Sequence, residues 1–272
     1  MRYPDWLRVD PQTFRLREHP TRSKVIADGT EIRREDAEAV HAANIEALDA
    51  LQYKMWAEHR HKLLVVLQAL DTGGKDGAIR KTFGPLNPQG VRTQAFKKPT
   101  EYELDHDFLW RVHKHSPRAG HIQIFNRSHY EDVLVVRVHG LVPEERWRTR
   151  YEHIRNFERL LHDEGTMIVK FMLHISRDEQ KERLQKRLDD PERHWKFDPN
   201  DLRERALWEQ YMDAFQDALV ETSTDYAPWY VIPADRKWFR NYCISSLVRE
   251  LLESVEMNWP EPAQNLDQIV IE

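Results

Sequence analysis

Cysteine is almost absent from this 272-residue chain. The single one, Cys243 in "RNYCISSLV", excludes an intrachain disulfide and every zinc site built on cysteine pairs. Its neighbours are apolar at helical spacing, so a buried, inert thiol is expected rather than a nucleophile. Long apolar runs are also lacking. Nothing approaches the ~20 residues that a membrane-spanning helix needs, and the opening "MRYPDWLRVDPQTFRLREHP" is charged throughout, unlike a signal peptide. Nor is there an excess of one charge: 41 Lys and Arg against 46 Asp and Glu leave −5, so no general polyanion-coating surface is implied and any basic site must be local. The expectation is a cytoplasmic protein without membrane or nucleic-acid partners. Glycine is scarce too, at nine residues, which makes it telling that three fall between Gly73 and Gly77.

What is present is enough for a real core: 40% apolar residues and nine Trp. Strand-length apolar runs lie at Leu63 to Leu70, Val91 to Phe96, His121 to Phe125, Met167 to His174 and Trp229 to Pro233. Stretches of helical periodicity separate them, at Glu101 to Lys114, Pro143 to Glu164, Arg177 to Leu188, Leu202 to Leu219 and Lys237 to Val255. Strands alternating with helices predict a parallel sheet wrapped by helices, with ligands at the carboxyl ends of the strands. We expect an arm and helix over 1–60 packed on the core or on another subunit, a main domain over 61–257, and a tail over 258–272. From Asp178 to Arg205, 8 basic and 9 acidic residues occupy 28 positions, interrupted by two prolines. Composition alone favours a solvated pair of surface helices with i,i+4 ion pairs, while the functional reading is a lid that brings cations onto a bound phosphate.

The stretch "LQALDTGGKDGAIRK", residues 67–81, carries the chemistry. A strand runs into Gly73, Gly74 and Lys75 and then into a helix, which gathers backbone N–H groups and a positive helix end around one point. Gly73 and Gly74 allow positive φ and close approach, and Lys75 supplies a mobile point charge. The phosphate-loop pattern G-x-x-x-x-G-K-[S/T] nevertheless fails twice, at Ala69 and at Asp76. Asp76 would bring negative charge toward a phosphate, so Asp71, at the strand end, is the better metal candidate. A helix start with tight glycine packing is the plainer alternative for the loop. From Lys75 to Lys98, six cations including Arg80 and Lys81 face one acid, more than a single nucleotide requires, which points to a long or highly charged phosphate substrate. The second cluster, "HIQIFNRSHYEDVLVVRVHG", brings a strand out into Asn126 and Arg127. Where a second metal-holding acid often lies there is an amide, and Glu131 could reach back as ligand or base. Arg127 presents a planar fork suited to phosphate oxygens, although it and Glu131 could equally serve an ion pair and a helix cap.

The motifs "DTGGKDG", "FNRSHYE", "FERLL" (Phe157 to Leu161), "DDPERHWKF" (Asp189 to Phe197) and "TSTDYAPWYVI" (Thr222 to Ile232), in this order, resemble the polyphosphate kinase 2 family over roughly residues 30 to 255. The resemblance implies an α/β P-loop kinase fold similar to thymidylate kinase, a five-stranded parallel sheet in a three-layer sandwich with a helical lid. It implies Mg²⁺-dependent phosphoryl transfer, with Mn²⁺ as an alternative metal, between inorganic polyphosphate and AMP, ADP or ATP, extending to guanine nucleotides. A homo-oligomer, dimer or tetramer, is a further expectation, with the amino-terminal helix and the tail as candidate interface. By position, Asp71 and Glu131 would hold the metal, and Asp71, Lys75, Arg127 and Glu131 would form the catalytic set. Gly73, Gly74, Lys75, Arg80, Lys81, Arg127 and the lid's Arg187 would bind polyphosphate. Asp71, Asn126, Arg127, Glu131 and Arg137 would contact the nucleotide. The departure is Asn126, which is similar to the branch that accepts both mono- and diphosphates. Two competing readings are an ATP-dependent nucleotide or small-molecule kinase on the same fold and a non-catalytic phosphate- or nucleic-acid-binding module.

Overall fold

The structure, a computed structural model, describes residues 3–263 and 271. Among these residues five parallel strands form one sheet in the order β2-β3-β1-β4-β5: β1 Lys62–Gln68, β2 Val91–Ala95, β3 Ile122–Asn126, β4 Thr166–His174 and β5 Trp229–Pro233. Central β1 is buried at every position after Lys62, as an apolar run covered by helices on both faces requires. Edge strand β2, "VRTQA", is exposed or half-buried throughout, which is why polar residues can occupy its centre. The opposite edge, β5, is covered by the amino-terminal arm, where Val9 N–H donates to Trp229 O at 2.9 Å and Arg8 bridges Tyr230 antiparallel.

Among the described residues ten α-helices surround the sheet: α1 Arg34–Glu58, α2 Lys75–Thr82, α3 Glu101–Leu104, α4 Trp110–His113, α5 Val135–Val138, α6 Glu144–Asp163, α7 Arg177–Asp189, α8 Asn200–Ala206, α9 Trp208–Thr222 and α10 Lys237–Glu253. Helix α1 packs on α10, where Asn44 Nδ2 donates to Ser245 Oγ at 3.2 Å and to Ser246 Oγ at 3.0 Å. Helix α6 buries Trp147, Tyr151, Ile154, Phe157 and Leu161, a stripe at spacings of three and four residues. Cys243 is fully buried in α10, and burial pushes its thiol far above the ordinary range, as an inert core residue requires.

Two helical readings are corrected. The periodicity over 101–114 resolves into α3 and α4, because Asp107 Oδ1 accepts the N–H groups of Leu109 (2.9 Å) and Trp110 (3.0 Å) and starts a new turn. The stretch read from Leu202 begins at Asn200 and divides at Leu207 into α8 and α9. Of the tail read at 258–272, only residues 258–263 and 271 lie within the described part.

Candidate active site

The site lies beyond the carboxyl ends of β1 and β3. After β1 the chain turns over Asp71–Gly74, with Gly73 N–H on Leu70 O at 3.0 Å, and enters α2 at Lys75. Thr72 and Gly74 take φ of 61° and 99°, the left-handed region, which a glycine adopts freely and a threonine only under constraint. A Cβ on Gly73 would stand 2.5 Å from the Ala69 Cβ and 2.8 Å from the Leu70 carbonyl oxygen, so the turn leaves no room for a side chain here. The Ala69 carbonyl in turn accepts Lys75 Nζ at 3.0 Å. Burial, and then Arg127, push the Lys75 amine below its ordinary range, with Asp71 opposing.

The two departures from the loop pattern and the strand-end pattern meet each other. Asn126 pairs with Leu67 in the sheet register, and its Nδ2 donates to Asp76 Oδ1 at 2.8 Å. An amide at 126 satisfies the carboxylate that stands where a hydroxyl is usual; a second carboxylate there would repel it. Next to it, Arg127 has a φ of 59° and donates from Nη2 to Asp71 Oδ1 at 2.6 Å. Glu131 and Asp71 hold the guanidinium more firmly charged despite its burial. Burial raises the Glu131 carboxyl, with Arg127 and Lys75 opposing, so Glu131 belongs to the same charge cluster although it does not line the open cleft.

The highly charged segment is a lid over this turn. Its base is fastened to the loop: Gln180 Nε2 donates to Asp71 O at 2.9 Å and Arg183 Nη1 to Thr72 O at 3.1 Å. Its outer part, through a 3-10 turn at Pro191–Lys196 into α8, folds back by Arg187, which donates to Lys196 O at 2.9 Å and Asp201 Oδ2 at 3.0 Å. Burial, and then the charge of Asp71, raise Asp201 to about 6.

Loop, lid and the start of α10 enclose a cleft of about 940 Å³. Thirteen Lys and Arg line it against four acids, Asp71, Asp76, Glu192 and Asp201, in a protein whose net charge is −5. Gly73, Gly74, Lys75, Arg80, Lys81, Asn126, Arg127 and Arg187 are thus brought together as expected for one site. Arg137 is not: it lies outside the cleft, donates to Asp217 Oδ2 at 2.7 Å and stacks 4.7 Å from the Trp147 ring.

Sequence reasoning missed Arg183, Arg240 and Asp201. Arg240 is 2% exposed, donates from Nη1 to Gly74 O at 3.1 Å, and has no acidic partner among the described residues. Burial and the neighbouring Arg183 lower it to about 10, the behaviour of a cation set against its own kind for want of an anion. The available signal was a lone arginine on the apolar stripe of "WFRNYCISSLV". Two features suit a divalent metal: the Asp71 carboxylate stands beside the loop, and the buried Thr72 Oγ1 has no partner among the described residues. A small hard cation takes one or two carboxylates and completes its shell with phosphate oxygens and water, so this donor set fits. Among the described residues there is no group of three or more acidic, His or Cys side chains able to hold a metal without such help.

The sequence pattern of the family described as polyphosphate kinase 2 matches residues 31–261. The AMP/ADP-polyphosphate phosphotransferase of Meiothermus ruber is 58% identical over 225 residues, 83% of this chain and 84% of that protein. The ADP-polyphosphate phosphotransferase of Rhodopseudomonas palustris is 45% identical over 229 residues, 80% of this chain and 79% of that protein. The crystal structure of polyphosphate kinase 2 from Arthrobacter aurescens superposes with a TM-score of 0.93 at 43% identity, covering 97% of this chain and 93% of that one.

Proposed function

The chain belongs to the polyphosphate kinase 2 family, and from that premise we propose that it transfers phosphoryl groups between inorganic polyphosphate and nucleoside mono- and diphosphates, AMP to ADP and ADP to ATP, with guanine nucleotides as further acceptors. The observation that carries the reading is the cleft's excess of nine positive charges around a glycine loop, far more than the phosphates of one nucleotide would neutralise. A polyanion running along Arg80 and Lys81 under the lid cations would supply the counterion that buried Arg240 lacks.

The division of labour follows from position. Lys75 and Arg127 bracket the transferred group, one a mobile point charge and the other a planar fork. Asp71 orients Arg127, and Asn126 with Asp76 fixes the nucleotide side of the loop. Transfer of this kind needs little covalent help from the protein, so holding donor and acceptor in line and neutralising charge are the main tasks. Asp71 and Glu131 would hold magnesium, or manganese, which on binding would offset charge on the phosphate oxygens. The proposal extends to a homo-oligomer, dimer or tetramer, for which the exposed aromatic pair Tyr53 and Trp259, 5.9 Å apart, offers a surface. It also extends to a cytoplasmic location, consistent with a reduced, buried thiol; among the described residues no helix is long and apolar enough to cross a membrane.

Lys75→Ala is the direct test. Loss of most turnover with an unchanged circular dichroism spectrum and thermal midpoint is expected, and full activity in this variant would sink the assignment.

A further inference from the structure

Three of the sequence motifs, the His-Tyr of "FNRSHYE", "FERLL" and "TSTDYAPWYVI", have so far no task in the site. In the fold they converge. Glu158 of α6 is fully buried, as is Lys170 of β4, and the two form an ion pair at 2.5 Å. Lys170 Nζ also donates to the Tyr130 hydroxyl and to Thr222 O, both at 2.8 Å. The Tyr130 hydroxyl donates to Glu158 Oε1 at 2.8 Å and stands 3.0 Å from Thr222 Oγ1, which accepts Trp229 Nε1–H at 2.9 Å. The second contact on Glu158 Oε1 is His129 Nε2 at 3.2 Å. An ionised carboxylate only accepts, so Nε2 must carry the proton there, and burial keeps this imidazole neutral by lowering its pKa.

We propose, on the basis of the phosphoryl-transfer reading above, that Glu158 and Lys170 are positioning residues: through Tyr130 and His129 they clamp the turn 126–131 and so hold Arg127 and Glu131 at Asp71 and Lys75. The turn alternates in a telling way. Ser128, His129 and Tyr130 are fully buried, whereas Asn126, Arg127 and Glu131 are only half-buried and face the charge cluster. The buried three are pins and the others do the work. Ser128 Oγ accepts both Tyr130 N–H and Gln68 Nε2 at 3.2 Å, fastening the turn to β1 from the other side. Arg127 needs such fastening, because a non-glycine residue at φ 59° persists only where its surroundings over-determine it. Stability alone does not account for the pair, since apolar residues of the same volume commonly serve a core as well as a buried ion pair. What apolar residues could not do is grip a tyrosine hydroxyl and an imidazole from a fixed direction.

Tyr130→Phe tests this, because it removes the hydroxyl and leaves the ring against Trp229, 4.7 Å away. The expected result is a fall in kcat of roughly 10- to 100-fold, with unchanged stoichiometry and affinity for polyphosphate measured at equilibrium, and faster hydrogen exchange at the amides of Arg127 and Glu131. A loss of kcat only in proportion to lost polyphosphate-binding protein would mean a merely structural role and would overturn the proposal, as would wild-type kcat. The double variant Glu158→Gln, Lys170→Met removes both buried charges together. A thermal midpoint near wild type with the same loss of kcat supports the clamp, and wild-type turnover refutes it. Should the wild-type protein itself transfer nothing from polyphosphate, the functional reading fails, and hydrogen exchange still decides the clamp: unchanged protection of Arg127 and Glu131 in Tyr130→Phe would reject it.

Discussion

Gly74→Ala is the perturbation whose effect follows most directly from the structure. A Cβ at this position would meet Arg240 Nη1 at 2.5 Å and Arg183 Nη1 at 3.3 Å, on a backbone with φ of +99°. Neither guanidinium can swing clear: both are nearly buried, Arg240 bonded to the Gly74 carbonyl and Asn241, Arg183 to Thr72 O, Ala234 O and Glu179. The backbone conformation alone costs an alanine about 1–2 kcal/mol, and displacing a buried cation brings the expected loss to about 2–3 kcal/mol. Because relief requires the loop and Arg240 to separate by a sizeable fraction of an ångström, turnover should fall by up to roughly 100-fold. Gly77→Ala is the matched control. Its Cβ would lie 3.6 Å from Arg240 Nη2, an ordinary contact within α2, and there alanine should stabilise by about 0.5–1 kcal/mol with activity retained. Urea unfolding gives the stability and steady-state assays the turnover. If Gly74→Ala unfolds at the wild-type urea midpoint and keeps full activity, the account of the loop and its two arginines is wrong.

Other consequences concern charge. Glu131→Gln should shift the metal titration of activity to higher concentration, and an unchanged titration would reject Glu131 as a metal or charge partner. The facing pair His19 and His174 is held neutral, burial lowering each from 6.5 to about 4. The unfolded chain then binds more protons between those values, so their stabilisation is complete above pH 6.5 and is lost as pH falls toward 4, up to about 3 kcal/mol for the well-buried His174. Asp132, raised to about 6 mainly by burial, works in the opposite sense, losing its contribution as pH rises through 6, but it does so equally in a variant. In His174→Asn the fall of the urea midpoint between pH 6.5 and 4 should therefore be shallower than in wild type; parallel curves would contradict the buried-neutral assignment.

The sheet could be read from the sequence because four of its strands are predominantly apolar and β2, though polar at its centre, is bounded by Val91 and Phe96, and all five fall within two residues of their expected bounds. Helices α3 and α4 could not, because periodicity is blind to a side chain such as Asp107 that caps a new turn in mid-pattern. The loop, Arg127 and the lid were legible as local motifs. Arg183 and Arg240 were not, since they reach the loop from 111 and 166 residues away, and a charged residue in a helix ordinarily means solvent. Arg137 is the converse case: a cation near a motif in sequence pairs with Asp217 and lies over the Trp147 ring. The pairing of Asn126 with Asp76 explains why both departures from pattern occur together, a relation between residues 50 apart that neither position discloses alone.

The central claim is that the donor is a phosphate polymer held by the cleft's unneutralised cations. Incubating the purified protein with a divalent metal and AMP or ADP, in parallel with polyphosphate or ATP as donor, and resolving the nucleotides formed, tests it most directly. Polyphosphate should convert AMP to ADP and ADP to ATP. Transfer from ATP alone, with polyphosphate inert as a donor, would contradict it.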